Sequence, residues 1–179
     1  TDTIDSLQIA YKNEKSPEEK FNTFKKLRQK YRAAGRRDES FKLMKSNHAE
    51  LTKAIEKQLK SKKPQNLYLD QYIESTQIYA RAIWNDSKPD EALKIIRATM
   101  KNIGDRKPTY SLSFLIGKIQ EEQSLFDSAI QNYNEAITSY KAAKVKKLDV
   151  DKTFDVSKLE WGKAWIQYKN DEPSKAAAA

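Results

Sequence analysis

The chain is 179 residues long and strongly basic, with 34 Lys and Arg against 25 Asp and Glu and a net charge of +9. It contains no cysteine, which excludes disulfides, thiol catalysis and zinc sites of the usual kind. No apolar stretch approaches the ~18 residues that a membrane-spanning helix requires.

Hydrophobic periodicity predicts helices along the whole chain, and no alternating strand pattern occurs. Residues 1–15 predict a short first helix. Ser16 and Pro17 mark the start of the second, as its cap and its first residue. Gly35 is expected to end that helix in a left-handed conformation, and Asp38 to cap the third.

The second helix and the turn after it carry a basic run without any acid. Its seven cations are Lys25, Lys26, Arg28, Lys30, Arg32, Arg36 and Arg37. Residues 1–63 hold 17 Lys and Arg against 9 Asp and Glu, whereas residues 64–179 hold 17 against 16. We favour a solvated helix face as the interpretation. The same cluster also suits a nucleic-acid phosphate backbone, an acidic polymer or a lipid surface.

Turn-forming residues punctuate the middle of the chain. Pro64 is expected to close the third helix, and Asn66 to cap a fourth that runs to about Trp84. Gly104 is expected to end the fifth helix. Residues 110–144 then give the clearest pattern, two amphipathic helices joined by a short polar turn.

A long loop and one further helix follow that pair. Residues 145–157 interrupt the pattern and are either a functional insertion or a link. The last helix holds Leu159 to Tyr168, and Pro173 begins a partner of which one turn remains. The chain is therefore expected to be a fragment of a longer protein.

Small residues recur at fixed places in the successive helix pairs. Three pairs of them are twelve positions apart: Ala80 and Ala92, Gly117 and Ala129, and Ala164 and Ala176. This recurrence resembles degenerate tetratricopeptide repeats. The resemblance implies an all-α, right-handed α-solenoid of stacked antiparallel helix hairpins. We expect one elongated domain over 1–179, with 1–63 as an atypical basic end unit and 64–179 as the tetratricopeptide-like hairpins.

The same resemblance implies a set of groove residues, since the first helix of each tetratricopeptide hairpin lines the concave face. In this sequence those positions are Gln77, Arg81, Trp84, Phe114, Lys118, Glu121, Trp161, Trp165 and Tyr168. Trp and Arg are frequent binding anchors where they are exposed. The alternative for the tryptophans is that they pack against the neighbouring repeat.

No catalytic, metal-binding or cofactor-binding residues are predicted. The single histidine, His48, falls on the apolar face of a helix, where a packed imidazole is the ordinary interpretation. No calcium-type Asp loop and no Gly-rich phosphate loop occur.

The segment LEWGKAWIQYKNDEPSKAAAA, which follows SLSFLIGKIQEEQSLFDSAIQNYNEAI, adds a second resemblance. Trp161, Ala164, Trp165 and Tyr168 match a helix of the superhelical region that precedes the catalytic domain in bacterial soluble lytic transglycosylases. The family's catalytic glutamate lies in a Glu-Ser pair followed by a Gly-Leu-Met-Gln segment. The Glu-Ser pairs at 39–40 and 74–75 lack that segment, so no catalytic residue is carried over.

Three functional hypotheses follow. The first is a non-catalytic binding module of a periplasmic peptidoglycan lytic transglycosylase, with peptidoglycan as its partner. The second is an adaptor that binds a partner protein or peptide, and the third is a basic nucleic-acid-binding protein. The absence of cysteine favours the periplasm slightly, and a cytoplasmic location stays open.

Overall fold

The computed structural model describes residues 2–62, 65–148, 150 and 154–171, with 170 and 171 described by their backbone alone. Within these ranges the chain is all-α, as predicted, and contains no strand. Its helices are α1 (Ile4–Asn13), α2 (Pro17–Ala33), α3 (Arg37–Leu59), α4 (Leu69–Asn85), α5 (Pro89–Ile103), α6 (Tyr110–Glu122), α7 (Phe126–Val145) and α8 (Val156–Asp171). Among the described helices, none is both long enough and apolar enough to cross a bilayer.

The chain divides into two compact units, unit 1 (Thr1–Arg106) and unit 2 (Lys107–Ala179). In unit 1 each helix packs against the next, and α3 also contacts α5. The large side chains that are almost fully removed from solvent there include Phe24, Leu27, Ile55, Tyr72, Ile83, Ile96 and Ile103. The helix α4 has the helical period of apolar residues, and its apolar face from Leu69 to Ile83 is buried.

Unit 2 is built around α7, which contacts both α6 and α8. Its core side chains include Leu112, Leu115, Ile119, Tyr133 and Ile166. The loop before α8 contributes Phe154, whose ring centroid lies 4.7 Å from that of Tyr110 and 5.0 Å from that of Tyr140. This part of the predicted loop therefore packs against the core of unit 2.

The turn between α2 and α3 agrees with the prediction for Gly35 and differs from the prediction for Asp38. Gly35 adopts the expected left-handed conformation, with φ of 69°. The prediction for Asp38 is wrong, because the turn is short enough that α3 begins at Arg37, without a side-chain cap. Arg36 instead pairs with Glu39 at 2.8 Å, and its hydrogen bond lowers the pKa of that carboxyl.

The connection between α3 and α4 also differs from the prediction. α3 ends before Pro64, which lies outside the described residues. Asn66 does not cap α4, because the helix begins later, after Tyr68 in a left-handed conformation. The side-chain amide of Gln58 both donates to and accepts from the backbone of Leu67 at 3.2 Å. These two bonds tie the loop to α3 and move the helix start beyond Asn66.

The predicted small-residue positions are buried in two helix pairs and not in the third. Ala80, Ala92 and Ala129 are fully buried, and Gly117 is buried against the ring of Tyr133. In the third pair, Ala164 is exposed among the described residues. Its expected partner, Ala176, lies outside them.

Candidate binding groove

A groove lies in unit 1, where the end of α2 meets the start of α3 and the second half of α4. The left-handed Gly35 ends α2, and the N–H of Arg36 returns to the carbonyl of Tyr31 at 2.9 Å. This tight turn sets the last turn of α2 beside the first turns of α3, while α4 packs on α3. The space between the three helices has a volume of about 940 Å³.

The groove combines positive charge with an apolar floor. Its cations are Arg28, Arg32, Arg37, Lys42 and Arg81. Its carboxylates are Asp38 and Asp86, and its larger apolar side chains are Phe41, Met44 and Ile78. Such a surface attracts anions and also offers contact area to an apolar side chain.

Most of this positive charge is uncompensated within the protein. Among the described residues, no carboxylate pairs with any of the groove arginines. Asp86 is instead engaged by Lys88 at 3.1 Å, and this hydrogen bond raises the pKa of Lys88. The Nε–H of Arg28 is buried and has no hydrogen-bond partner in the described part of the chain. The guanidinium groups are thus left for an external acceptor.

The predicted basic run is split by the helical period. Arg28 and Arg32 are four residues apart and face the groove together with Arg37, whereas the lysines of α2 lie on other faces. Lys25 pairs with Glu74 at 3.7 Å. Lys26 pairs with Asp2 at 3.3 Å, and Lys30 is exposed.

Of the groove residues predicted on α4, only Arg81 lines this site. Gln77 and Trp84 are half-buried on the same helix and do not line it. The sequence pattern assigned Arg81 to one candidate surface and Arg28 to another. The structure joins them in a single site.

The groove residues predicted on α6 are engaged within unit 2. The ring of Phe114 packs against Tyr133, with centroids 5.8 Å apart. Lys118 pairs with Glu121 at 3.2 Å, and the hydroxyl of Tyr133 donates to the same carboxylate at 2.6 Å. Burial and this hydrogen bond raise the pKa of Tyr133. Phe114 and Glu121 therefore hold α6 against α7, whereas Lys118 pairs within α6.

The aromatic residues predicted on α8 form an exposed stack. Trp161 and Trp165 lie with ring centroids 5.9 Å apart and an angle of 7° between the planes. Tyr168 continues the stack at 5.9 Å and 22°, and the ammonium of Lys169 lies 5.2 Å from the centre of the Trp165 ring. Trp161 is 68% exposed and Tyr168 is 39% exposed. Among the described residues, Trp161 is therefore largely open to solvent, whereas Trp165 is half-buried.

Two features of the groove went unnoticed in the sequence. The floor side chains Phe41 and Met44 look like ordinary core positions of α3, and Lys42 stands outside the conspicuous basic run. The i, i+4 spacing of Arg28 and Arg32 is the available signal, since it places both on one face.

Comparison with protein-family models and with curated proteins finds no match to this sequence.

Proposed function

We propose that this chain is a non-catalytic helical-repeat binding module, and that an acidic segment of a partner protein occupies the basic groove of unit 1. The observation that carries the proposal is the convergence of Arg28, Arg32, Arg37 and Arg81 on one groove. Guanidinium groups bind carboxylates through paired, charge-assisted hydrogen bonds. A partner carboxylate would also relieve the mutual repulsion of these cations.

The arrangement of the helices supports the repeat architecture. Consecutive helices pack together in both units, and α3 reaches past α4 to contact α5. We propose a right-handed solenoid of antiparallel hairpins on this basis. The step from a solenoid to a binding role is an analogy between folds, so the groove carries the functional argument.

Fluorescence anisotropy with a labelled acidic peptide tests the proposal. Charge reversal at Arg28, Arg32 and Arg81 should weaken binding by at least about tenfold, because the attraction becomes repulsion. The matched control reverses Lys53, Lys62 and Lys94, three exposed lysines of unit 1 that do not line the groove. The control changes net charge equally and should keep most of the binding. Equal weakening in both variants would contradict a groove-specific site.

A second candidate function is the superhelical part of a periplasmic lytic transglycosylase that contacts peptidoglycan. The exposed stack of Trp161, Trp165 and Tyr168 favours it, because the residues that carry the family resemblance present flat apolar rings. Aromatic faces offer large, rigid contact area. The ring planes of sugars are suitable partners for such faces.

Sedimentation with purified peptidoglycan tests this second candidate. The chain should sediment with the polymer without degrading it, and Trp161→Ala should reduce the sedimented fraction. Val145→Ala is the control, since it removes an exposed apolar side chain from the same unit. Failure of the wild-type chain to sediment would argue strongly against this candidate.

A further inference from the structure

We infer that the groove of unit 1 selects an amphipathic acidic segment, in which a carboxylate pairs with Arg28 and an apolar side chain rests on Phe41, Met44 and Ile78. This inference rests on the proposed function and narrows its ligand. Three features of the groove support it: an arginine without an ion-pair partner among the described residues, an apolar floor, and carboxylates among the cations.

Arg28 is the anchor for the carboxylate. Its side chain is half-buried, and its Nε–H is shielded from solvent without a hydrogen-bond partner among the described residues. The rest of the guanidinium lines the groove and forms no ion pair with the described residues, so it is open to an acceptor there. A carboxylate is the acceptor that matches the planar guanidinium fork, because it accepts two parallel bonds.

The floor of the groove favours apolar side chains beside that carboxylate. Phe41 is half-buried and its ring packs against Tyr79, with centroids 5.6 Å apart. Ile78 is half-buried on α4, and Met44 is buried with 8% of its surface exposed, so Phe41 and Ile78 supply most of the open apolar area. Burial of this surface stabilises a complex with an apolar side chain, whereas a uniformly charged polymer has no apolar side chain to bury there.

The acidic residues of the groove add selectivity against polyanions. Asp38 and Asp86 line the same groove as the cations. A ligand with continuous negative charge would bring like charges next to these carboxylates, which is unfavourable. A segment that alternates acidic and apolar residues can place apolar residues, and no carboxylate, next to Asp38 and Asp86.

Three labelled probes of equal length test the inference on the wild-type full chain. The first is a peptide of about ten residues with Glu and Leu in equal number, the second is oligoglutamate, and the third is oligothymidylate. Anisotropy titrations should show the mixed peptide binding at least about tenfold more tightly than either polyanion. Equal or tighter binding of oligoglutamate or oligothymidylate would overturn the inference.

Two variants identify the residues responsible. Arg28→Lys keeps the charge and removes the fork, so binding of the mixed peptide should weaken at least about fivefold. Ile78→Asn should weaken the mixed peptide and leave oligoglutamate unchanged. Arg97→Lys, at an exposed position of α5 outside the groove, is the control and should have no effect.

The outcomes separate this inference from the proposed function. If oligoglutamate equals the mixed peptide, and charge reversal of the groove still abolishes both, the groove binds anions without selecting amphipathic segments. The proposed function then stands and the inference falls. If no probe binds in a manner that responds to charge reversal, both fall.

Discussion

Gly117 of α6 lies directly against the ring of Tyr133 on α7. A Cβ added at Gly117 would lie 2.5 Å from Cδ1 of Tyr133 and closer still to Cε1. The ring is buried, and its hydroxyl is held by Glu121, so it has little room to move. We expect Gly117→Ala to destabilise the protein by about 1–2 kcal/mol, as overpacking outweighs the gain in helix propensity. Urea unfolding measures this change.

Gly162 provides the matched control for that substitution. It also lies within a helix, but apart from the backbone of its own helix and its chain neighbours, no atom of the described residues is within 4 Å of the Cβ that alanine would add. Gly162→Ala should therefore leave stability unchanged or raise it by up to about 1 kcal/mol. A Gly117→Ala protein as stable as wild type would show that α6 and α7 do not approach each other as closely as described.

His48 belongs to a polar cluster that joins α3, α4 and α5. Its Nε2 lies 3.1 Å from the hydroxyl of Thr76 and 3.4 Å from that of Thr99. Its ring stacks on Tyr72 with centroids 5.5 Å apart. Burial lowers the pKa of His48 to about 4, because the charged imidazole would lose its hydration.

This shift makes the stability of the fold depend on pH in a defined direction. The unfolded chain binds a proton at His48 near pH 6.5, whereas the folded chain resists it to about pH 4. The free energy of unfolding is therefore highest above about pH 6.5 and decreases as the pH falls below it. We expect a loss of at most about 2 kcal/mol between about pH 7.5 and pH 5.

Unfolding at both pH values with wild type and His48→Gln measures the effect. His48 is the single histidine of the sequence, so no other side chain ordinarily titrates in this range. The wild-type protein should lose more stability than the variant on acidification. An identical loss in both proteins would mean that His48 is not protected from protons in the folded state.

At the scale of elements, α1 is the shortest described helix, and a capping box holds its start. It has 10 residues, a length that is marginal in isolation. The hydroxyl of Thr3 accepts from the N–H of Ser6 at 3.1 Å, and the hydroxyl of Ser6 accepts from the N–H of Thr3 at 2.9 Å. We expect Thr3→Ala to weaken α1 by about 1 kcal/mol, because it removes the bond that the Thr3 hydroxyl accepts from the first turn.

Hydrogen exchange followed by mass spectrometry would show the effect as faster exchange in peptides that cover α1. The control is Thr109→Ala, since Thr109 precedes α6 without a side-chain cap bond. That variant should leave exchange in α6 unchanged. If α1 exchanges no faster in Thr3→Ala, its contact with α2 and the hydrogen bond from Gln8 to Tyr31 are sufficient to hold it.

Helix identity could be predicted from the sequence, whereas helix boundaries could be predicted only in part. The apolar stripe of α4 and the left-handed Gly35 follow from local pattern and from the conformational freedom of glycine. The starts of α3 and α4 do not, because Asp38 and Asn66 suit a cap by residue type alone. The observed starts are set by a short turn and by the side chain of Gln58, which is a tertiary contact.

The candidate site could be predicted residue by residue but not as an assembly. The basic run and Arg81 were each recognisable from charge and register. They come together because α4 packs on α3 beside the end of α2. This brings residues about fifty positions apart in the sequence into one site, and no local pattern predicts it. Ala164 shows the opposite case, since it keeps the spacing of the small residues and is nevertheless exposed.

At the scale of the whole molecule, the basic charge and the groove belong to the same compact unit. All the residues that line the groove lie between Arg28 and Asp86, within unit 1. That unit also contains its own buried core, from Leu7 to Ile103. A segment with its own core and more than about 50 residues can in principle fold alone.

We therefore expect a fragment of residues 1–106 to unfold cooperatively in urea, as followed by circular dichroism, and to bind the acidic peptide as the full chain does. A shorter fragment of residues 1–86 is the control. It keeps every groove residue but lacks α5, and with it the buried Ile96 and the hydroxyl of Thr99 that contacts His48. Because those contacts cover α3 and α4, the shorter fragment should lose cooperative unfolding. Weak or absent peptide binding by a cooperatively folded 1–106 fragment would show that the groove alone is not the binding site.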